Sequence, residues 1–260
     1  MRAVYYRKMR RKRIRGLIFA ICLLFLISLG VFFFLPKLKI KRIEVSGNKE
    51  ISLGKIKDIL SYKNIFLATE ERIKADMLKE FPQISELIVS RNLFEREIKI
   101  SIKEREEFGI VCQIEKPASP TEVGADKIKN CFYIDREGII FKEAPQTSGS
   151  LVILIKDYSN RDYKIGEKIF DTGLISFISE IKDKLLDDID LRVVDFNISS
   201  FPSEDLKVVT NEGWYILFNL QKETADQLTA LKAVLDEKIK DARKNLQYVD
   251  LRIENRVYYK

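Results

Sequence analysis

One stretch limits every reading of this chain: Gly16 to Leu35, twenty residues without a charge and rich in Leu, Ile and Phe. At a rise of about 1.5 Å per residue, a helix there is about 30 Å long, the thickness of a bilayer's hydrocarbon core. The residues before it hold eight basic side chains (Arg2, Arg7, Lys8, Arg10, Arg11, Lys12, Arg13, Arg15) and no acid. Beyond it come Lys37, Lys39, Lys41 and Arg42. The denser cluster belongs on the cytoplasmic side, so the N-terminus is expected inside and the bulk of the chain outside. A cleaved signal peptide has a shorter apolar core that ends in a small-x-small site. This core runs into Phe32-Phe33-Phe34-Leu35-Pro36. The expectation is therefore an uncleaved, single-pass anchor at 16–35 behind a cytoplasmic basic tail at 1–15.

The anchor changes how charge is read. The chain has 46 Lys and Arg against 39 Asp and Glu. Without the eight cations of the tail, 38 basic residues face 39 acidic ones, so the outer part is nearly neutral. The basic character belongs to the tail, which is a topology signal and can touch anionic lipid. It gives no reason to expect nucleic-acid binding by the rest. Histidine is absent, which removes the commonest general base and metal ligand. Of the three cysteines, Cys22 lies in the apolar stretch. Cys112 and Cys131 lie outside, where oxidation is permitted.

Residues 38–107 read as strand, helix, helix, strand, strand. Ile40, Arg42 and Glu44 alternate with Lys41, Ile43 and Val45, a short strand, and Ser46-Gly47-Asn48 supplies turn chemistry. Ser52 is placed to cap a helix to Leu60, with Leu53, Ile56, Ile59 and Leu60 on one face. Thr69 is placed to cap a second helix, whose core stripe is Ile73, Met77, Leu78 and Phe81 and which Pro82 stops. Leu87-Ile88-Val89 begins a strand pair. In the return strand, Ile98, Ile100 and Ile102 alternate with Lys99, Ser101 and Lys103, which means one wet and one buried face.

Residues 108–260 read as a strand-rich unit with two helices. Gly109–Gln113, Cys131–Asp135 and Gly138–Phe141 are expected strands. The aperiodic segment 115–130, with Pro117, Pro120 and Gly124, is expected to be a long hairpin loop. If its flanking strands pair, Cys112 faces Cys131. A disulfide and a pair of reduced buried thiols then both stand open. Leu151–Ile155 is a continuous apolar run fit for a buried strand. A helix follows Asp171 or Thr172, with Leu174, Ile178, Ile181 and Leu185 on one side. Val193–Ile198, Leu206–Thr210 and Trp214–Phe218 form a strand series. A second helix runs from about Thr224 to Lys240, burying Leu228, Leu231, Leu235 and Ile239.

Several blocks now coincide with a known pattern. Ile43-Glu44-Val45-Ser46-Gly47-Asn48 resembles the opening of a POTRA domain, and Asn64-Ile65-Phe66 its inter-helix segment. Phe81-Pro82-Gln83-Ile84, Arg91 and the run Ile98 to Arg105 resemble the P-x-V…R…L-x-I-x-V-x-E-R blocks of the FtsQ/DivIB cell-division family. Cys131 to Asp135, with Gly138 and Phe141, and Ile165-Gly166-Glu167 resemble its middle blocks. Tyr248-Val249-Asp250-Leu251-Arg252, Asn255 and Val257 resemble its ending. The family's strand–strand turn carries proline where this chain has Glu95. The resemblance implies an α+β fold: a transmembrane helix, a POTRA domain (β-α-α-β-β) at 38–107, and a mostly antiparallel β domain with two helices at 108–260. It also implies a bacterial cytoplasmic-membrane protein that acts in septum formation.

No catalytic constellation stands out. S-x-x-K occurs at Ser52/Lys55 and Ser179/Lys182, without S-D-N or K-T-G partners, and both serines fit plain helical roles. Asp187, Asp188 and Asp190 lack the glycine turn and closing glutamate of a calcium loop. No catalytic residue, cofactor, metal or small-molecule substrate is expected. The most exposed template for recognition is the last strand, because an open edge offers unpaired N–H and C=O groups to a partner strand. Val257 and Tyr259 would face one side, Tyr258 and Lys260 the other. The resemblance implies FtsB/DivIC-like and FtsL-like partners at this strand, with Arg252 ion-paired to the partner. The expected contact residues are Arg252, Ile253, Asn255, Arg256, Val257, Tyr258 and Tyr259. Two rivals remain: a POTRA protein that handles polypeptides in envelope biogenesis, and a membrane-anchored cell-wall enzyme.

Overall fold

The structure, a computed structural model, describes residues 18–31, 39–60, 64–115, 127–254 and 256–260. The basic tail, both ends of the 16–35 stretch, most of the 115–130 segment and Asn255 lie outside the described residues. Residues 18–31 form a helix (α1) whose side chains are exposed along nearly its whole length. Among the described residues no helix is long and apolar enough to cross a membrane. The described part of α1 rises only about 21 Å.

The chain divides into two compact units, Met1–Glu104 and Arg105–Lys260, three residues before the expected boundary. In the first unit, strand β1 (Arg42–Ser46) leads through helices α2 (Leu53–Ile59) and α3 (Glu70–Glu80) to β2 (Ile84–Asn92) and β3 (Glu97–Glu104). The sheet order is β1-β3-β2, with β1 parallel and β2 antiparallel to β3. The helices cover one face, where Ile56, Ile65, Ile73, Met77, Ile98 and Ile100 are buried together. Thr69 caps α3, accepting the Arg72 N–H at 3.3 Å, whereas Ser52 starts α2 without a side-chain cap bond. Leu53 and Leu78 are exposed, contrary to the helical stripes expected of them. Each helix is short, and its buried face is only one residue wide at those turns.

Gly47 closes β1 at φ +81°, and a Cβ there would run into the Ile102 carbonyl, so the turn requires glycine. The loop after it is held by Asn48, whose Nδ2 donates to the Ile51 carbonyl at 2.9 Å, and by a carboxylate. Glu104, at the end of β3, accepts the backbone N–H groups of Lys49 (2.7 Å), Glu50 (3.0 Å) and Ile51 (3.1 Å). The β2–β3 turn manages without the family's proline. Asn92 Oδ1 accepts the N–H groups of Phe94 and Glu95, both at 3.1 Å, and Arg96 takes a left-handed φ of 57°.

The second unit is built on a nine-stranded sheet in the order β12-β11-β10-β9-β8-β7-β4-β5-β6. Its strands are β4 (Gly109–Glu115), β5 (Lys127–Ile134), β6 (Ile140–Glu143), β7 (Leu154–Asp157), β8 (Val193–Ile198), β9 (Asp205–Thr210), β10 (Tyr215–Asn219), β11 (Tyr248–Asp250) and β12 (Tyr258–Tyr259). Helix α4 (Thr172–Ile189) connects the parallel pair β7 and β8, and α5 (Thr224–Val234) connects the parallel pair β10 and β11. Both crossovers step the same way along the sheet. Crossovers of one hand then put both helices on one face, where α4 and α5 pack against each other. Between helices and sheet lies the main core, with Ile178, Ile181, Leu185, Trp214, Phe218 and Leu231 buried. The sheet is mixed, since β4–β7 is parallel as well.

Three details depart from the expected elements. The apolar run at 151–155 is strand only from Leu154 onward, and Leu151 is almost fully exposed. Helix α5 gives way at Leu235–Ile239 to a π turn, which still buries Leu235 and Ile239. Strands β4 and β5 extend further toward the 116–126 segment than periodicity implied.

Candidate partner-binding edge

An open sheet has two edges, and this one treats them differently. At the β6 edge, Ile140 donates to the Glu167 carbonyl (3.0 Å) and accepts from the Gly166 N–H (2.7 Å). The segment 166–170 thus covers the start of that edge, and Gly138 accepts from Ile169 (2.8 Å) as well. At the other end lies β12, antiparallel to β11 with Val249 opposite Tyr259 and Asp250 opposite Tyr258. Lys260 and Tyr248 exchange both backbone bonds, at 3.2 and 3.3 Å. Alternation in an antiparallel pair then turns the Tyr258 groups inward and the N–H and C=O of Tyr259 outward. Among the described residues no backbone group meets them there.

The register also assigns the side chains. Tyr258 lies on the face of Asp250 and Tyr248, while Tyr259 lies with Val249 on the helix face. Val257 packs against the main core, and Tyr258 and Tyr259 remain nearly half exposed. On the helix face, a groove of about 650 Å³ runs between α5 and the segment 251–257, lined by Ala230, Val234, Ile253, Arg256 and Val257 among others. On the opposite face, Tyr215 and Tyr248 stack with centroids 5.8 Å apart, and the Lys207 ammonium sits 4.1 Å from the Tyr215 ring.

Arg252 lies where β11 gives way to the bend toward β12. Its Nε and Nη2 bond the Asp250 carboxylate at 2.9 and 2.7 Å, and Nη1 bonds Asp205 at 2.7 Å. The Arg252 hydrogen bonds hold the Asp250 carboxyl below its ordinary range, and Asp250, then Asp205, push the guanidinium up. The expected partner-facing arginine is thus already bracketed by its own chain. Sequence reading missed Asp205, which lies 47 residues away and carries no local signal.

Of the other expected residues, Ile253 is exposed, Arg256 lines the groove and Asn255 is outside the described residues. Cys112 and Cys131 are register partners in β4 and β5 and are joined by a disulfide with a Cα–Cα distance of 4.1 Å. Six strand spacings, about 29 Å, separate β4 from β12, so the disulfide belongs to the framework and not to this edge. Of the residues weighed for chemistry, Asp190 ends α4 in a left-handed conformation, and among the described residues no carboxylate and thiol group forms a metal-binding cluster.

The two units define a class: a POTRA-like β-α-α-β-β domain joined to a mixed α+β sheet domain that ends on an uncovered strand. The POTRA domain, FtsQ-type, matches residues 38–105. The chain is 25% identical over 209 residues to the cell division protein DivIB of Clostridium tetani, covering 72% of each. It is 26% identical over 230 residues to the cell division protein DivIB of Clostridium acetobutylicum, covering 86% of this chain and 84% of the relative. The chain thus carries a POTRA domain of the FtsQ type and is similar over most of its length to DivIB cell-division proteins, which supports a division-related role.

Proposed function

We propose that this protein is a non-enzymatic scaffold of the division machinery. The 16–35 stretch holds it in the bacterial cytoplasmic membrane as a single span, with the N-terminus in the cytoplasm. Outside, it binds FtsB/DivIC-like and FtsL-like partners during septum formation by accepting a partner strand along β12. The observation that carries the proposal is the contrast of edges. The start of the β6 edge is covered by the protein's own backbone at Gly138 and Ile140, while Tyr259 on β12 turns an N–H and a C=O outward. A strand added there pairs with Tyr259 and Val257, and its alternate side chains reach the α5 groove on one face and Tyr258 on the other.

The test is capture of the partners' extracytoplasmic segments by the full chain in detergent, beside Tyr259→Pro. Proline removes the outward N–H and obstructs an added strand, whereas the bonds to β11 come from Tyr258 and Lys260. Capture by the native chain, lost in a variant with unchanged circular dichroism, is the expected result. Undiminished capture by folded Tyr259→Pro, or no capture by the native chain, refutes strand addition.

A further inference from the structure

The first unit gathers exposed apolar side chains at one end. Phe94 is 100% exposed at the tip of the β2–β3 turn, and Leu93 beside it is 42% exposed. This tip is not a loose loop, since Asn92 fixes the Phe94 and Glu95 amides and Arg96 closes the turn. The inter-helix loop adds Phe66 and Leu67, 55% and 60% exposed. Arg91, paired with Ile98 just before the tip, binds the Ile65 and Ala68 carbonyls at 3.3 and 2.9 Å, so it ties that loop to the same end. Single exposed apolar residues are ordinary. Two exposed pairs held together by built turns are not.

That end is also where the chain enters the unit. Lys41 donates to the Arg96 carbonyl at 2.9 Å, and Arg42 pairs with Glu97, so β1 starts beside the tip. Five residues, six Cα–Cα steps, separate Leu35 from Lys41, a tether of at most about 21 Å. Lys37, Lys39, Lys41 and Arg42 lie along this tether and its entry, and Arg96 at the tip. Acids are present as well. Glu95 is exposed beside Phe94, Glu70 and Glu71 start α3, and Glu97 is buried and paired with Arg42 and Lys99.

We infer that this end of the unit docks on the bilayer, with Phe94, Leu93, Phe66 and Leu67 seated at the level of the lipid headgroups. The inference rests on the reading of 16–35 as the membrane anchor. The tether keeps the tip within reach of the bilayer, and β1 runs away from that end, so the tip faces the membrane. Aromatic and aliphatic side chains with basic neighbours are the composition that settles in the interfacial region. The docking fixes the orientation of the unit relative to the membrane, which a tether alone does not.

The test uses the full chain in nanodiscs of phosphatidylcholine and phosphatidylglycerol. A spin label is placed at the tip by Glu95→Cys, or at the opposite end by Lys79→Cys, each with Cys22→Ala and with the Cys112–Cys131 disulfide kept. A third sample carries the label on native Cys22. Power saturation with oxygen and a water-soluble nickel chelate reads depth. The tip label should read an oxygen-rich environment about 5–10 Å into the interface, and the Lys79→Cys label should read water. Adding Phe94→Ser and Phe66→Ser should bring the tip label to the Lys79→Cys value. A tip label in water while the Cys22 label reads hydrocarbon overturns docking and leaves the anchor standing. A Cys22 label in water overturns the anchor itself. A tip label shielded from both reagents indicates a protein neighbour and also overturns docking.

Discussion

Glu104 makes the first unit sensitive to acid. Its carboxylate gathers the N–H groups of Lys49, Glu50 and Ile51, which otherwise have no strand partner after the Gly47 turn. Partial burial alone would raise its pKa, but the Ile51, Glu50 and Lys49 amides outweigh this and hold it below the ordinary 4.5. Hydrogen bonds to a charged group are worth about 1.5–3 kcal/mol each in buried settings. On this half-exposed rim, Glu104→Gln, which keeps one acceptor and turns an NH₂ toward the amides, should cost about 1–2 kcal/mol in total. The folded pKa is depressed, so the stabilisation is complete above about pH 4.5 and is lost as pH falls through the lower folded value. Native-state amide exchange of peptides covering 43–60 and 84–104 reads this directly. At pH 7 the variant should exchange faster than the wild type, and the gap should narrow as pH falls below about 4.5 and through the lower folded value. Equal exchange at pH 7, or a gap that stays constant into acid, would refute the reasoning.

The second unit contains the single tryptophan, Trp214, fully buried, so its fluorescence reports unfolding of that unit alone. Replacing both Cys112 and Cys131 by Ala opens a loop of 19 residues and should lower urea stability by about 3 kcal/mol; an unchanged midpoint would refute this. Ile181→Ala, at a completely buried position between α4 and the sheet, should cost about 2–5 kcal/mol. Arg161 bonds the buried Asp157 at 3.0 Å and lies 3.8 Å over the Phe201 ring. Arg161→Ala should cost about 3 kcal/mol by leaving Asp157 without its cation, and Arg161→Lys should restore only part.

What was legible followed from local periodicity. β3 could be read because one face is wet and the other dry, so Ile98, Ile100 and Ile102 are buried beside exposed Lys99 and Ser101. The Thr69 cap and the core side of α4 were readable for the same local reason. Other features were not. An apolar run carries no phase, so nothing in Leu151 to Ile155 indicates that Leu151 is in water and Ile155 in the core. The Arg252–Asp205 bond, the bonds over the start of β6 and the tie of Arg91 to the Ile65 carbonyl are set by topology. Each joins residues 26 or more positions apart, and single-chain pattern reading is blind at that range. The glutamate that replaces proline at position 95 could not reveal that Asn92 and Arg96 would supply the turn instead.

The bracket around Arg252 bears on where affinity resides in the proposed complex. Asp250 is 14% exposed and holds two nitrogens of the guanidinium, whereas Asp205 is 46% exposed and holds one. A partner carboxylate approaching Arg252 would therefore compete with Asp205 rather than Asp250. The exchange trades one exposed ion pair for another, and each such pair is worth about 0–1 kcal/mol. The net gain is then small, and the backbone bonds along Tyr259 must supply most of the attraction. Arg252 has a different task in the free chain. By clamping Asp250 to Asp205 it fixes the bend at 250–253, where the chain leaves β11 and turns back as β12. On this account the arginine prepares the edge, and the strand that follows it does the binding.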